Sequence, residues 1–349
     1  MRRLLITFAA IACLAASTAS AGPTLQVTAT QQFAPWSLGT VRFDAAHHAV
    51  WTLVWQSSSE VDLLKLDPAT LAIESSTPVA VQGQDFYDLG VGLGRVWVVN
   101  FPDDYSDFDD PANYGSVSEY DGNGAFIRTI STYGHGPEGI GFLNGKVWVA
   151  NHHRDGAGLG GSVVELDPDT GALIARVSAG AVPVFCCGPQ ELTVADGSVW
   201  TGVPNLNGVV RIDPTTLTAT VIPGGNGGGQ FPGGACGDFA SDPATHRLWS
   251  ADAFCRPSAI VRLDSRTGAV TQSFNPGGVG AGIAFGNGAL WVSVADNGRG
   301  KSGFVAKVDP ATGNVVAKIG IGANGPVAFG DGAAYVAAQA TGQLVRVSG

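Results

Sequence analysis

Charge is scarce in this sequence, and what there is leans one way. Charged residues make up 14% of the 349, and 29 acidic side chains face 19 lysines and arginines for a net charge of −10. So few cations argue against nucleic acid or an anionic membrane surface as a partner, because clustered Lys and Arg hold both. A metal ion or a cationic ligand would suit that charge, as would simple solubility. No apolar run is long enough for a membrane span. There is no nucleophile elbow, phosphate loop or zinc signature. Cysteine is limited to five residues, none in the paired Cys-x-x-Cys spacings of a zinc site.

The start reads as an export signal. Met1-Arg2-Arg3 is basic, Leu4 to Ala16 is apolar, and Ala19-Ser20-Ala21 is a small-residue cleavage site. This predicts a signal peptide over residues 1–21 and a periplasmic or extracellular protein over 22–349.

What is abundant is glycine, at 50 residues, among hydrophobic residues that make up 45%. Short alternating strands separated by tight turns account for both. Residues 136–180 give the template. Strands at Gly139 to Leu143, Lys146 to Asn151, Ser162 to Leu166 and Ala172 to Ser178 surround an Asn-Gly turn, a loop and an Asp-Pro-Asp-Thr-Gly turn. The second strand carries Trp148, and Trp51, Trp97, Trp200, Trp249, Trp291 and Tyr335 stand in equivalent places. Asp-led turns recur at Asp67, Asp121, Asp167, Asp213, Asp264 and Asp309. Both markers return every 42 to 54 residues, the period of a four-stranded propeller blade. The recurring aromatics are expected to pack between blades.

Six blades are complete, and the seventh ends after its third strand, Gln343 to Val347. Thr24 to Phe33 alternates as a strand should and can supply the missing one. Closing the ring this way leaves no exposed sheet edge at the joint. The expected fold is an all-β, seven-bladed propeller, one domain, closed by the N-terminal strand and monomeric.

Segments such as GSVVELDPDTGALIARVSAG and FVAKVDPATGNVVAKIGIG, each preceded by VWVAN or LWVSV, resemble the YVTN-type propeller repeats. They are also similar to the streptogramin (virginiamycin B) lyase family, whose blades share the Gly-Pro-x-Gly-Ile entry. That second resemblance implies a metal-assisted elimination, with histidines at the strand entries of the top face. Here the entries carry Tyr87, Glu138, Gln190, Gly237, Ala281 and Gly325. Glu138 is the acidic match, and no catalytic role is carried over.

The top face, where inner strands begin, is the expected working side. Its candidate ligand-binding residues are Trp36, Trp55, Tyr87, Asp88, Asn100, Glu138, Asn151, His152, His153, Gln190, Glu191, Asp238 and Asp252. Glu138 and His153 form a candidate site for a divalent metal such as Mg²⁺, and the acidic loop Asp103 to Asp110 could take Ca²⁺. By sequence, His152 and His153 also read as plain polar loop residues. His47, His48 and His246 fall in bottom turns and are expected to be solvated. Trp36 and Trp55 lie outside the recurring position, so they either cap blade 1 or offer a ligand an apolar wall.

In an oxidising compartment the four cysteines beyond the signal suggest disulfides. Hairpin counting favours Cys236–Cys255, with Cys186 and Cys187 bridged to each other or free; two links between blades 4 and 5 are the alternative. The expected function is binding of a small molecule, peptide or protein at the top funnel, without catalysis. A metal-dependent lyase or hydrolase centred on Glu138 is the second expectation.

Overall fold

The computed structural model describes residues 24–80, 85–101, 110–153, 161–179, 188–206, 208–223, 238–251, 259–295, 303–322 and 325–349. The expected signal peptide, all five cysteines, Asp252 and most of the 103–110 loop lie outside them, as does the side chain of Tyr87.

Seven antiparallel four-stranded sheets form. β1 (Gln26–Gln32) comes first. Blade 1 follows with β2 (Leu38–Asp44), β3 (Ala49–Trp55), β4 (Val61–Leu66) and β5 (Ile73–Pro78). Blade 2 has β6 (Asp85–Gly92), β7 (Arg95–Phe101), β8 (Ser116–Tyr120) and β9 (Phe126–Ser131). Blade 3 has β10 (Pro137–Leu143), β11 (Lys146–Asn151), β12 (Ser162–Leu166) and β13 (Leu173–Ser178). Blade 4 has β14 (Leu192–Ala195), β15 (Ser198–Val203), β16 (Gly208–Asp213) and β17 (Thr218–Ile222). Blade 5 has β18 (Phe239–Asp242), β19 (Arg247–Ser250), β20 (Ile260–Asp264) and β21 (Val270–Phe274). Blade 6 has β22 (Val279–Gly286), β23 (Ala289–Ala295), β24 (Gly303–Val308) and β25 (Val315–Gly320). Blade 7 has β26 (Val327–Gly330), β27 (Ala333–Ala338) and β28 (Gln343–Ser348), and β1 completes it in the order β1-β28-β27-β26.

The inner strands β2, β6, β10, β14, β18, β22 and β26 each touch the next, and β26 touches β2, so the ring is closed. The closing strand is bonded from Gln26 opposite Ser348 to Gln32 opposite Gln343. Beyond it, Phe33 N–H donates to Gly342 O at 2.7 Å and Trp36 N–H to Gln339 O at 2.6 Å. Among the described residues, no helix is long and apolar enough to cross a membrane.

The turns work as their residues dictate. Leu93-Gly94, Asn144-Gly145, Asp196-Gly197, Asn287-Gly288 and Asp331-Gly332 all have positive φ, which a two-residue hairpin of type I′ requires. The Asp-led turns hold themselves shut. Asp167 Oδ1 accepts the N–H groups of Asp169 and Thr170 at 3.1 and 3.0 Å, and Asp213 and Asp264 do the same with residues two and three further on. These bonds favour the ionised form and keep the carboxyls of Asp67, Asp213 and Asp309 below their ordinary range.

All six recurring tryptophans and Tyr335 are fully buried. They sit between blades, as expected, through a repeated clasp. A phenylalanine on one inner strand stacks on the aromatic of the preceding blade: Phe43 on Tyr335 at 5.8 Å, Phe142 on Trp97 at 5.9 Å, Phe285 on Trp249 at 5.5 Å and Phe329 on Trp291 at 5.7 Å. Three of these rings also cover a glycine of that preceding blade, namely Gly330, Gly92 and Gly286. A Cβ at any of the three would overlap the ring. Gly286→Ala should therefore lower stability by about 1–3 kcal/mol through overpacking, read from chemical unfolding. A neutral result would mean that Phe329 has room to move.

Opposite each tryptophan, the third strand carries a charge. It is a cation in five blades (Lys65, Arg211, Arg262, Lys307 and Arg346), and Lys307 lies 5.3 Å from the Trp291 ring. Blades 2 and 3 carry Glu119 and Glu165 instead. Glu119 is fully buried and ion-paired with Arg95 and Arg128, both of which donate to Pro168 O of blade 3.

The bottom histidines are in contact with solvent, as expected, and each also pairs with an aspartate. His48 Nε2 lies 2.5 Å from Asp331, His246 Nδ1 lies 2.7 Å from Asp196, and His47 Nδ1 lies 2.7 Å from Asp44. The first two pairs cross from one blade to the preceding one, because a histidine ends the longer turn just where the neighbour's Asp-Gly turn presents a carboxylate.

Candidate functional site

Sheet register shows which inner-strand residues are equivalent. The residues paired with the aromatic marker are Arg42, Gly90, Gly141, Thr193, Ala240, Ala284 and Ala328. Two residues earlier stand Asp88, Glu191 and Asp238, in blades 2, 4 and 5. Three residues earlier stand Glu138 and Gln190, in blades 3 and 4. Four acids thus stand at the inner-strand entries of the top face, and Arg42 of blade 1 interacts with three of them, Asp88, Asp238 and Glu191.

Arg42 is the centre of this set. Its guanidinium donates to Asp88 Oδ1 at 2.6 Å, with Asp88 buried and Arg42 one quarter exposed. Burial works against its charge, but the carboxylates of Asp88, Asp238 and Glu191 raise its pKa overall. Asp88 also accepts the N–H of Leu89 at 2.7 Å and, across the blade boundary, that of Ile140 at 3.2 Å. Asp238 repeats the arrangement with Phe239 at 3.0 Å and with Ile283 of blade 6 at 3.4 Å. Both aspartates are therefore ties between blades as well as funnel groups.

The acids are crowded. Burial pushes Glu138 up to about 8, with a hydrogen bond from Gln190 opposing it. Burial, then the charges of Asp88 and Asp238, push Glu191 well above the usual carboxylate range. Burial raises Asp238 to about 6 against the pull of Arg42, and raises Asp88 despite the same pull. His152 goes the other way, to about 4, through burial and the neighbouring His153. Its Nδ1 lies 3.4 Å from Glu138 Oε2. At neutral pH that pair is therefore an uncharged acid beside an uncharged imidazole.

His152 thus lies in ion-pair range of Glu138. A register shift between Pro137 and Gly139 places Glu138 on a bulge and turns it toward His152. His153 is buried, with its ring edge-on to Phe101 at 5.5 Å. Among the described residues, no three His, Cys, Asp or Glu are grouped so as to hold a metal ion.

Other candidates are divided. Asn100 and Asn151 are fully buried, and their amide N–H groups donate to neighbouring residues of the chain. The Asn100 amide donates to Ser116 and Ser118, and that of Asn151 to Thr132 O. Trp55 is half-buried against Gly39 and the core between blades 1 and 2. Trp36 is 59% exposed on the top face, with φ of 64°. His135, another top-face histidine, is buried with Nδ1 3.0 Å from Asn113 O. The residue missed from sequence is Arg42. Its signal was available: it is the one charged residue at a position that is Gly, Ala or Thr in the other six blades.

No protein-family model matches the chain, and no curated protein matches it. Among solved structures, it resembles the WD40 domain of Pan2 from Neurospora crassa, with a TM-score of 0.66 over 93% of this chain and 94% of that one. Identity is 10%, so the likeness establishes the fold alone. The β-propeller fold is commonly used for binding.

Proposed function

We propose that this is an exported propeller that binds a small molecule, peptide or protein in its top funnel and catalyses no reaction. The observation that carries this reading is the convergence of Asp88, Glu191 and Asp238 on the one guanidinium of Arg42, with Glu138 beside Glu191. A concave wall with a few convergent polar groups of perturbed pKa is where a ligand finds orientation and affinity. Trp36, exposed beside the closing joint, would extend that wall at the rim.

The test is a thermal-shift screen of a diverse panel of small molecules and peptides, run on the full-length protein and on Glu191→Gln. Binders should stabilise the parent and lose most of that shift in the variant. Hits that stabilise both equally would move the site away from the funnel and overturn the reading.

One observation favours a second reading, a metal-dependent lyase of the streptogramin lyase type. Glu138 and His152 lie 3.4 Å apart with pKa values displaced in opposite directions, which is how an acid–base pair is made. Elemental analysis, with melting curves taken with and without chelator, separates the two readings. A bound divalent ion whose removal lowers the midpoint would favour the lyase.

A further inference from the structure

The outer cleft between blades 5 and 6 departs from the repeat at both side chains that shape it. Each third strand has one residue just before the charge that faces the aromatic. In blade 6 that residue is Ala306, and Lys318 of the outer strand pairs with it. The other blades place serine, threonine or valine at the position of Lys318, except blade 3, which has Arg176. Two residues before Ala306 stands Phe304, where the other blades have only small or polar residues.

The two cations behave differently. Arg176 donates to Tyr133 O of blade 2, so its guanidinium bridges the corresponding boundary. Lys318 makes no hydrogen bond or ion pair among the described residues, and its ammonium lies over the Phe304 ring, 5.3 Å from the centroid. Across the cleft the chain leaves blade 5 as Asn275-Pro276-Gly277, and a Cβ on Gly277 would lie 3.6 Å from the Phe304 ring. Asn275 Oδ1 accepts the N–H groups of Gly277 and Gly278 at 2.7 and 3.1 Å, which fixes the amide and leaves its NH2 as a donor at the wall. On the far side the pairing skips Val316, because Lys307 faces Ala317 and Val308 faces Val315. Such a bulge turns two neighbouring side chains the same way, and Val315 and Val316 both line the cleft while 39% and 43% exposed. An open cavity of about 530 Å³ results, within the range of small-molecule sites.

We propose that this cleft is a binding site for a small aliphatic carboxylate. The apolar body lies against Phe304, Pro276 and the two valines, and the carboxylate meets Lys318 with the Asn275 amide as second donor. A neutral apolar molecule would desolvate the ammonium without answering its charge, and an organic cation would be repelled by it. In a chain of net charge −10 an anion finds few other places to settle. The cleft is on the outer rim, so the proposal stands apart from the funnel and goes beyond it.

Octanoate is the probe, titrated calorimetrically into the full-length protein at pH 7. It should bind at one saturable site, and octanol and octylammonium should bind about tenfold more weakly or less. Lys318→Gln should weaken octanoate about tenfold, and Val316→Glu, at an exposed position that leaves folding intact, should do at least as much by adding a like charge. Glu191→Gln in the funnel should bind octanoate as the parent does. No saturable binding, equal affinity in the parent and both cleft variants, or octylammonium binding as well as octanoate would overturn the proposal. Loss of octanoate binding in Glu191→Gln would place the probe in the funnel and overturn it too, whereas a funnel screen without hits leaves it untouched.

Discussion

Removing residues 24–33 should abolish the cooperative unfolding transition. β1 is the fourth strand of blade 7, and its loss would strip β28 of a partner along its whole length. Leu344, Val345 and Val347, now buried, would lie on an open sheet edge, and Leu25 would no longer cover the core beside Trp291. The tie from Phe33 to Gly342 at the top of the joint would go with it, leaving that of Trp36 to Gln339. The whole stability of a domain this size is of the order of 5–15 kcal/mol, so an open ring has little to lose. Size exclusion should show aggregate, and near-UV circular dichroism should lose its aromatic signal. A synthetic TLQVTATQQF peptide added during refolding should restore monomer, because strand addition to an open edge supplies the missing hydrogen bonds. If the truncated chain melts as a monomer at the parent temperature, the closing strand does not hold the ring.

Replacing Arg42 by Met should be the most costly single substitution in the funnel. It removes the guanidinium that offsets the charges of Asp88, Asp238 and Glu191, and leaves Asp88, 1% exposed, without its 2.6 Å partner. Breaking a buried ion pair costs about 3–5 kcal/mol; Arg42 is itself 26% exposed, which brings the expectation to about 2–4 kcal/mol at pH 8. The loss should shrink toward pH 5. Without Arg42 the acids bind protons more tightly, and a carboxyl that has taken up a proton needs no cation. Urea unfolding at both pH values measures this. Equal losses would mean that Arg42 contributes packing rather than charge.

Fold and site were not equally legible in the sequence. The fold was written in repetition: a tryptophan, an Asp-led turn and a two-residue turn per blade place every strand, and a ring that lacked one strand pointed to Thr24 to Phe33. Repetition also located the strand entries, and so Asp88, Glu138, Glu191 and Asp238. It could not say which way a side chain turns once there. Asn100 and Asn151 end strands on the correct face, yet their amides bond inside blades 2 and 3, where Ser116, Ser118 and Thr132 O need donors. Counting back from the Asn144-Gly145 turn sets Glu138 opposite Asn151 and His152, and His152 does lie 3.4 Å from it. Arg42 was overlooked because it sits mid-strand, one turn of the alternation below the entries.

The clasps between blades bear on how the funnel can respond to an occupant. Each stacked phenylalanine presses on an aromatic, and three of the four also press on a glycine backbone that leaves no gap. A blade cannot tilt about such a contact without driving a ring into main-chain atoms. Elastic strain put into one blade is therefore handed on to the next at the four clasped boundaries, and those arcs of the ring are stiff. Along them, accommodation of a guest falls to side chains rather than to blade movement.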